Sequence, residues 1–158
     1  MKNVSRNTIM AWMLVFFWAI LIFFLSAQPA ETSNQSSLRV TELIVVTVAK
    51  VVAPDIDAEK LAGIVKHFNN LVRKLAHSGL YFVLGLLLVC AAAKMGVTSE
   101  CKLYTLTFLF CLLYSVTDEF HQIFVPGRSG QISDVIIDAS GAAVGIGICW
   151  LVQRIKKQ

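Results

Sequence analysis

Charge is what this sequence has least of. Only 15% of its 158 residues are Asp, Glu, Lys or Arg, against 56% hydrophobic residues and a mean hydropathy of +0.69. That is far from a soluble composition and points to a membrane protein. No basic run or RNA-binding motif is present, so no nucleic-acid partner is expected. The net charge of +4 is to be judged by where the cations fall relative to a bilayer. The cysteines Cys90, Cys101, Cys111 and Cys149 lack the paired spacing of a zinc or thioredoxin-type motif and read as unpaired small hydrophobes. The absence of a Gly-x-Ser-x-Gly or Ser/Lys signature argues against covalent acyl chemistry. No internal repeat and no low-complexity tract occurs, and residues 1–158 read as a single membrane domain.

What the chain does have is apolar runs of membrane length. Ile9 to Leu25 follows Lys2 and Arg6 and is close to the ~20 residues a spanning helix needs, longer than the ~7–15 of a signal-peptide core. Its exit, Ser26-Ala-Gln-Pro-Ala30, is a poor cleavage site, so an uncleaved first span is favoured over a signal peptide. Further runs cover Leu75 to Ala93, Leu103 to Phe120 and Val135 to Val152. The expected fold is all-α, with four spans at about 9–25, 75–93, 103–120 and 135–152. Residues 26–74 form a long outer loop carrying one or two amphipathic or interfacial helices. In that loop Pro29 to Ser37 reads as irregular chain in which Ser36 or Ser37 caps a short helix, Leu38 to Ala53. Pro54-Asp-Ile-Asp57 breaks it. A second helix then follows, with Leu61, Ile64, Val65, Phe68, Leu71 and Val72 on one face and His67 solvated on the other.

Four spans alternate in direction. Placing the N-terminus in the cytoplasm puts Lys2, Arg6, Lys94, Lys102, Arg154, Lys156 and Lys157 on the inner surface, as the positive-inside rule requires of short connections. Both termini are then cytoplasmic, and the start of the second span, the end of the third and the start of the fourth meet at the outer face. Arg73, Lys74, His77 and Tyr81 converge there on Asp118, Glu119, His121, Gln122, Arg128, Asp134 and Asp138. Ionisable residues at such depth are costly and mark function by default. Asp134, Asp138, Gly141 and Gly145 share one stripe of the fourth helix, and a Gly-x-x-x-Gly pair admits close approach of a neighbouring backbone, which turns both aspartates inward. The Pro126-Gly127 turn is expected to swing Arg128 back over the carboxylates of both flanking helices.

Arg73-Lys-x-x-His77-x-x-x-Tyr81, then Asp118-Glu-Phe-His-Gln122, then Phe124-Val-Pro-Gly-Arg-Ser-Gly130, Asp134 and Gly141 together resemble the VanZ-like family of bacterial membrane proteins. Ser26-Ala-Gln-Pro29 is similar to that family's first-loop signature, and Asp138 stands where the family pattern often has Asn. The resemblance covers nearly the whole chain. It implies a multi-pass protein of the bacterial plasma membrane, at the cell envelope where the glycopeptide teicoplanin acts, and a link to resistance against that drug; it implies no settled reaction.

Three functional readings follow for the convergent set. In the first, an outward polar pocket engages an anionic lipid or a lipid-linked cell-wall intermediate, gripped by Arg73 and Arg128 as a cation fork with Lys74, Tyr81, His121, Gln122, Asp134 and Asp138 around it. In the second, a hydrolase or transferase works on that head group, with Glu119 or Asp118 as general base and His77 as acid or base. The third, a transporter, lacks polar residues in the inner halves of the spans. No cofactor is expected. Asp118, Asp134 and His77 are the set able to offer metal ligands, without a tight motif such as His-x-x-x-His. Protein partners are not legible.

Overall fold

The structure, a computed structural model, describes residues 5–97 and 99–157; Lys2, counted above among the inner cations, lies outside the described residues. The described residues form five helices: α1 (Arg6–Ser26), α2 (Ala30–Val52), α3 (Ala58–Lys94), α4 (Glu100–Gln122) and α5 (Ile132–Lys156). Four of them, α1, α3, α4 and α5, are long and apolar enough to cross a membrane. This is an all-α, multi-pass membrane protein.

Each span buries one stripe of residues and leaves large apolar side chains exposed on the other side. On α1 the buried residues Thr8, Ala11, Val15, Ile22 and Ser26 make one stripe, while Met13, Phe16, Phe17 and Phe24 stay exposed. A helix apolar on its exposed side belongs in lipid. The α4 stripe starts apolar at Leu103 and Cys111 and ends as Ser115, Asp118, Glu119 and Gln122. The buried acids Asp118, Glu119 and Asp138 thus gather at one end of the bundle.

Helix α3 is the hub, packing against α1, α2, α4 and α5. Its seam with α5 is built from missing side chains. A Cβ on Gly141 would lie 2.1 Å from the Ser78 carbonyl oxygen, and one on Gly145 would lie 2.4 Å from that of Phe82. From the α3 side, a Cβ on Gly85 would come within 2.8 Å of the Ala142 carbonyl. Such backbone approach is what small residues permit in lipid, where close packing replaces the hydrophobic effect as the driving force. Across the rest of the bundle, Trp18 Nε1 donates to the Leu80 carbonyl at 2.9 Å and the Tyr114 hydroxyl to that of Ala19 at 2.6 Å. Thr8 donates to the Lys94 carbonyl, Gln122 to Ser26, and Lys157 to Glu100. These contacts fix alternating directions: the C-terminal ends of α1 and α4 and the start of α5 lie at one end of the bundle, and Lys94, Glu100 and Lys157 at the other.

The segment between the first two spans departs from the expected loop. Pro29 is the N-cap and α2 is helical from Ala30 onward, so Ser36 and Ser37 lie inside it. Ser37 bonds back to the Asn34 carbonyl instead of capping a new helix. The expected amphipathic helix and the second span are one 37-residue rod, because no proline interrupts Ala58 to Lys94 and the glycines Gly63 and Gly79 have open space around them. At 1.5 Å per residue it runs about 55 Å, well beyond a hydrocarbon core of ~30 Å. Its first half therefore projects from the span and pairs with α2 as a helical hairpin. The face it buries holds Val65 and Asn69, whereas Ile64, Phe68 and Leu71 of the expected apolar stripe remain exposed. Asn69 is satisfied there by Asn34 at 2.6 Å and Thr41 at 3.4 Å. His67 is exposed, as read, and all four cysteines are free.

Candidate functional site

At the end of the bundle where α1 and α4 finish and α5 begins lies a cavity of about 190 Å³. Its walls come from distant parts of the chain: Arg73, Lys74 and His77 of α3, Glu119 and Gln122 of α4, Arg128 of the connecting turn, and Asp134 and Asp138 of α5. The start of α2 closes one side through Ala30. The turn is built by Val125-Pro-Gly-Arg128, with Pro126 fixing the first corner and Gly127 taking φ +75° at the second, and the Arg128 amide donates to the Val125 carbonyl at 3.1 Å. That is type II geometry, which needs glycine at the second corner. The Ala30 amide donates to the Pro126 carbonyl at 3.2 Å, docking α2 on the turn.

The turn aims Arg128 into the cavity, but not onto the flanking carboxylates. Its Nε donates to the Gln28 carbonyl at 3.0 Å and its Nη1 to Gln122 Oε1 at 3.1 Å, while Nη2 is buried without a partner. Gln122 Nε2 in turn donates to Ser26 Oγ at 2.8 Å. Burial first, and the Arg73 guanidinium second, pull Arg128 below its ordinary pKa, against Asp118, Glu119 and Asp134, which act the other way. A guanidinium remains a cation through such a perturbation. Arg73 donates to Asn70 Oδ1 at 3.1 Å, and among the described residues neither arginine has a carboxylate within ion-pair range.

The acids divide into three kinds. Asp134 pairs with Lys74 at 2.5 Å, both partly exposed. Glu119 accepts the backbone N–H of Gln131 at 2.8 Å, satisfying a donor where α5 begins. Asp118 and Asp138 are 3% and 1% exposed; both oxygens of Asp118 and Oδ1 of Asp138 lack a hydrogen-bond partner. One ligand atom each from His77, Asp118 and Asp138 lies within 4.8 Å of the other two; His77 and Asp138 line the cavity, and Asp118 is buried behind them.

A model of the VanZ/LLP1 family matches residues 11–153. The chain belongs to the VanZ/LLP1 family. The match takes in every residue that lines the cavity. No curated protein and no solved structure matches the chain.

Of the residues singled out in sequence, this VanZ/LLP1 chain brings Arg73, Lys74, His77, Glu119, Gln122, Arg128, Asp134 and Asp138 to one cavity, with Asp118 beneath. Tyr81 lies deeper, fully buried, its hydroxyl unpartnered. His121 is not brought there: it is on the α1 side of α4, its ring 4.5 Å from that of Phe23. On α4 it stands one turn from Asp118 but about 100° round from Gln122, which turns its ring to Phe23 and leaves it out of the cavity wall. The set of possible metal ligands also changes. Asp134 belongs to Lys74, and Asp138, one turn further along the same face, takes its place beside His77 and Asp118. Ser26, Gln28 and Ser115 come to the site only in the folded chain. Ser26 and Gln28 stood in the Ser-Ala-Gln-Pro signature, but that α1 ends against α4 is not written in local pattern.

Proposed function

We propose that the cavity seats the anionic head group of a membrane lipid or lipid-linked cell-wall intermediate, on the outer face of a bacterial plasma membrane with both termini cytoplasmic. One observation carries this reading: two guanidiniums, Arg73 and Arg128, face a membrane-end cavity without a carboxylate in ion-pair range among the described residues. Lys74 and Asp134 cancel as a pair, and Glu119 is turned to a backbone N–H. The arginines are left as the fork for phosphate or carboxylate oxygens. A second, mainly apolar crevice of about 220 Å³, lined in part by Leu25, Val40, Val72 and Leu80, shares Arg73 and His77 with the cavity. An amphiphile with its head in one and part of its chain in the other suits that pairing. The glycopeptide-resistance link implied by the family resemblance fits such a ligand, since those drugs act at the envelope.

Mass spectrometry of lipids co-purified with the protein tests the reading. Wild type is expected to enrich one anionic class over the bulk membrane, and Arg73→Ala or Arg128→Ala to lose at least about tenfold of it, as removing a charge-assisted pair predicts. A wild-type lipid profile identical to the bulk membrane overturns it.

The buried His77, Asp118 and Asp138 favour a second reading, hydrolysis or transfer at the bound head group by acid–base chemistry. Glu119→Gln and Asp118→Asn separate the roles: each is expected to keep the head group, and loss of turnover in one names the base. Transport has least support, because Leu84, Leu88, Ala91 and Cys111, all nearly or fully buried, fill the bundle below the floor.

A further inference from the structure

We propose that His77, Asp118 and Asp138 bind one divalent transition-metal ion in the floor of the cavity. The site stands on its own geometry and does not depend on the head-group reading. Three helices each contribute one residue: α3 gives His77, α4 gives Asp118 and α5 gives Asp138, and a ligand atom of each lies within 4.8 Å of the others. An ion at the centre of three such atoms is within about 2.8 Å of each, so shifts of up to about 0.6–0.8 Å bring them to ordinary coordination lengths of roughly 2.0–2.2 Å.

Electrostatics calls for an occupant. Two carboxylates, 97% and 99% out of contact with solvent by their 3% and 1% exposure, stand together with three of their four oxygens unpartnered. Burying one unpaired charge is costly, and two adjacent ones repel. Among the described residues no cation pairs with either acid: Lys74 pairs with Asp134, and Arg154 and Lys157 meet Glu100 at the other end of the bundle. A divalent cation supplies two positive charges where the two acids meet.

The donor set selects among cations. An imidazole nitrogen beside two carboxylates suits Zn²⁺ or Mn²⁺ better than Mg²⁺ or Ca²⁺, which prefer all-oxygen shells. Three protein ligands leave coordination positions open, and His77 and Asp138 line the cavity, so the open side faces it. Tyr81, one turn along α3 from His77, and Ser115, one turn before Asp118 on α4, carry buried hydroxyls without partners. They are placed to orient the ligands from below.

The test uses the full chain in detergent, stripped with a chelator and titrated by calorimetry with Zn²⁺ alone and Mn²⁺ alone. One ion per chain is expected. His77→Gln, Asp118→Asn and Asp138→Asn are each expected to weaken binding at least about a hundredfold, beyond the 10–100-fold typical of outer-shell changes. Glu100→Gln, at a partly exposed acid at the other end of the bundle, is expected to bind as wild type does. Two wild-type readouts guard against variants that fail to fold: the thermal midpoint rises with metal and falls back with chelator, and Co²⁺ loading gives a visible ligand-field spectrum. Absence of saturable binding to wild type, or unchanged affinity in folded Asp138→Asn protein, overturns the proposal. No lipid enters these measurements, so a negative result leaves the head-group reading standing, and the reverse.

Discussion

Arg128 shows how one residue's role is set by bonds that no motif encodes. Its position after Pro126-Gly127 was legible, and the turn does redirect it, but the side chain goes to Gln122 and the Gln28 carbonyl instead of an acid. Behind it, Ser26 accepts the Gln122 amide in a fully buried position. Ser26→Ala leaves that amide unpaired and is expected to cost about 1–3 kcal/mol, read as a lowered thermal midpoint in detergent. A Val in place of Ser26, which adds bulk as well, is expected to lower the midpoint further. Gly127 is the other sensitive point. A Cβ there sits at φ +75° and 3.1 Å from Ala30 Cβ, so Gly127→Ala is expected to destabilise by about 1–2 kcal/mol from backbone strain alone. The partly exposed Lys74–Asp134 pair contrasts with both: Asp134→Asn is expected to change stability by less than ~1 kcal/mol.

At the scale of elements, the α3–α5 seam is the structural condition for the site. Gly141 and Gly145 let α5 approach until Ser78 Oγ donates to the Ile137 carbonyl at 3.2 Å, and this brings Asp138 beside His77. Gly141→Ala or Gly145→Ala places a methyl group against a backbone carbonyl that has no free rotation to yield. Each is expected to cost about 1–3 kcal/mol or more, the range for overpacking. Gly147→Ala, with open space around the glycine, is expected to be neutral or slightly favourable, since alanine is the better helix former. Equal melting points for all three variants would show that the seam is not what holds α5. The Gly-x-x-x-Gly spacing was readable, although such spacing is common by chance in apolar helices. What the sequence did not reveal was the continuity of α3, because Arg73-Lys74 marks a change of environment along the helix and not a change of backbone.

For the whole molecule, the direction of insertion is the proposal that organises the rest. The cavity, the turn and the α2–α3 hairpin all lie at one end, and Lys94, Glu100, Arg154 and Lys157 at the other, where Lys157 and Arg154 both approach Glu100. With the native cysteines replaced, a cysteine at the exposed Ser129 is expected to react with an impermeant thiol reagent added to intact cells, and one at Lys157 only after permeabilisation. Reversed labelling would move the cavity to the cytoplasmic face and remove the cell-wall intermediate as its ligand, while leaving its geometry untouched.

Sequence alone determined that this chain is helical and spans a membrane four times, because run length and apolar content are local properties that a bilayer reads directly. It also determined which polar residues share an end, since alternation of spans follows from counting them. Which acid meets which base was decided only by tertiary structure. Asp134 and Asp138 are alike in sequence, one turn apart on one face; the rotation of α5 fixed by Gly141 and Gly145 gives one of them Lys74 and leaves the other buried beside His77 and Asp118. That difference is an angle between helices, and no stretch of sequence contains it.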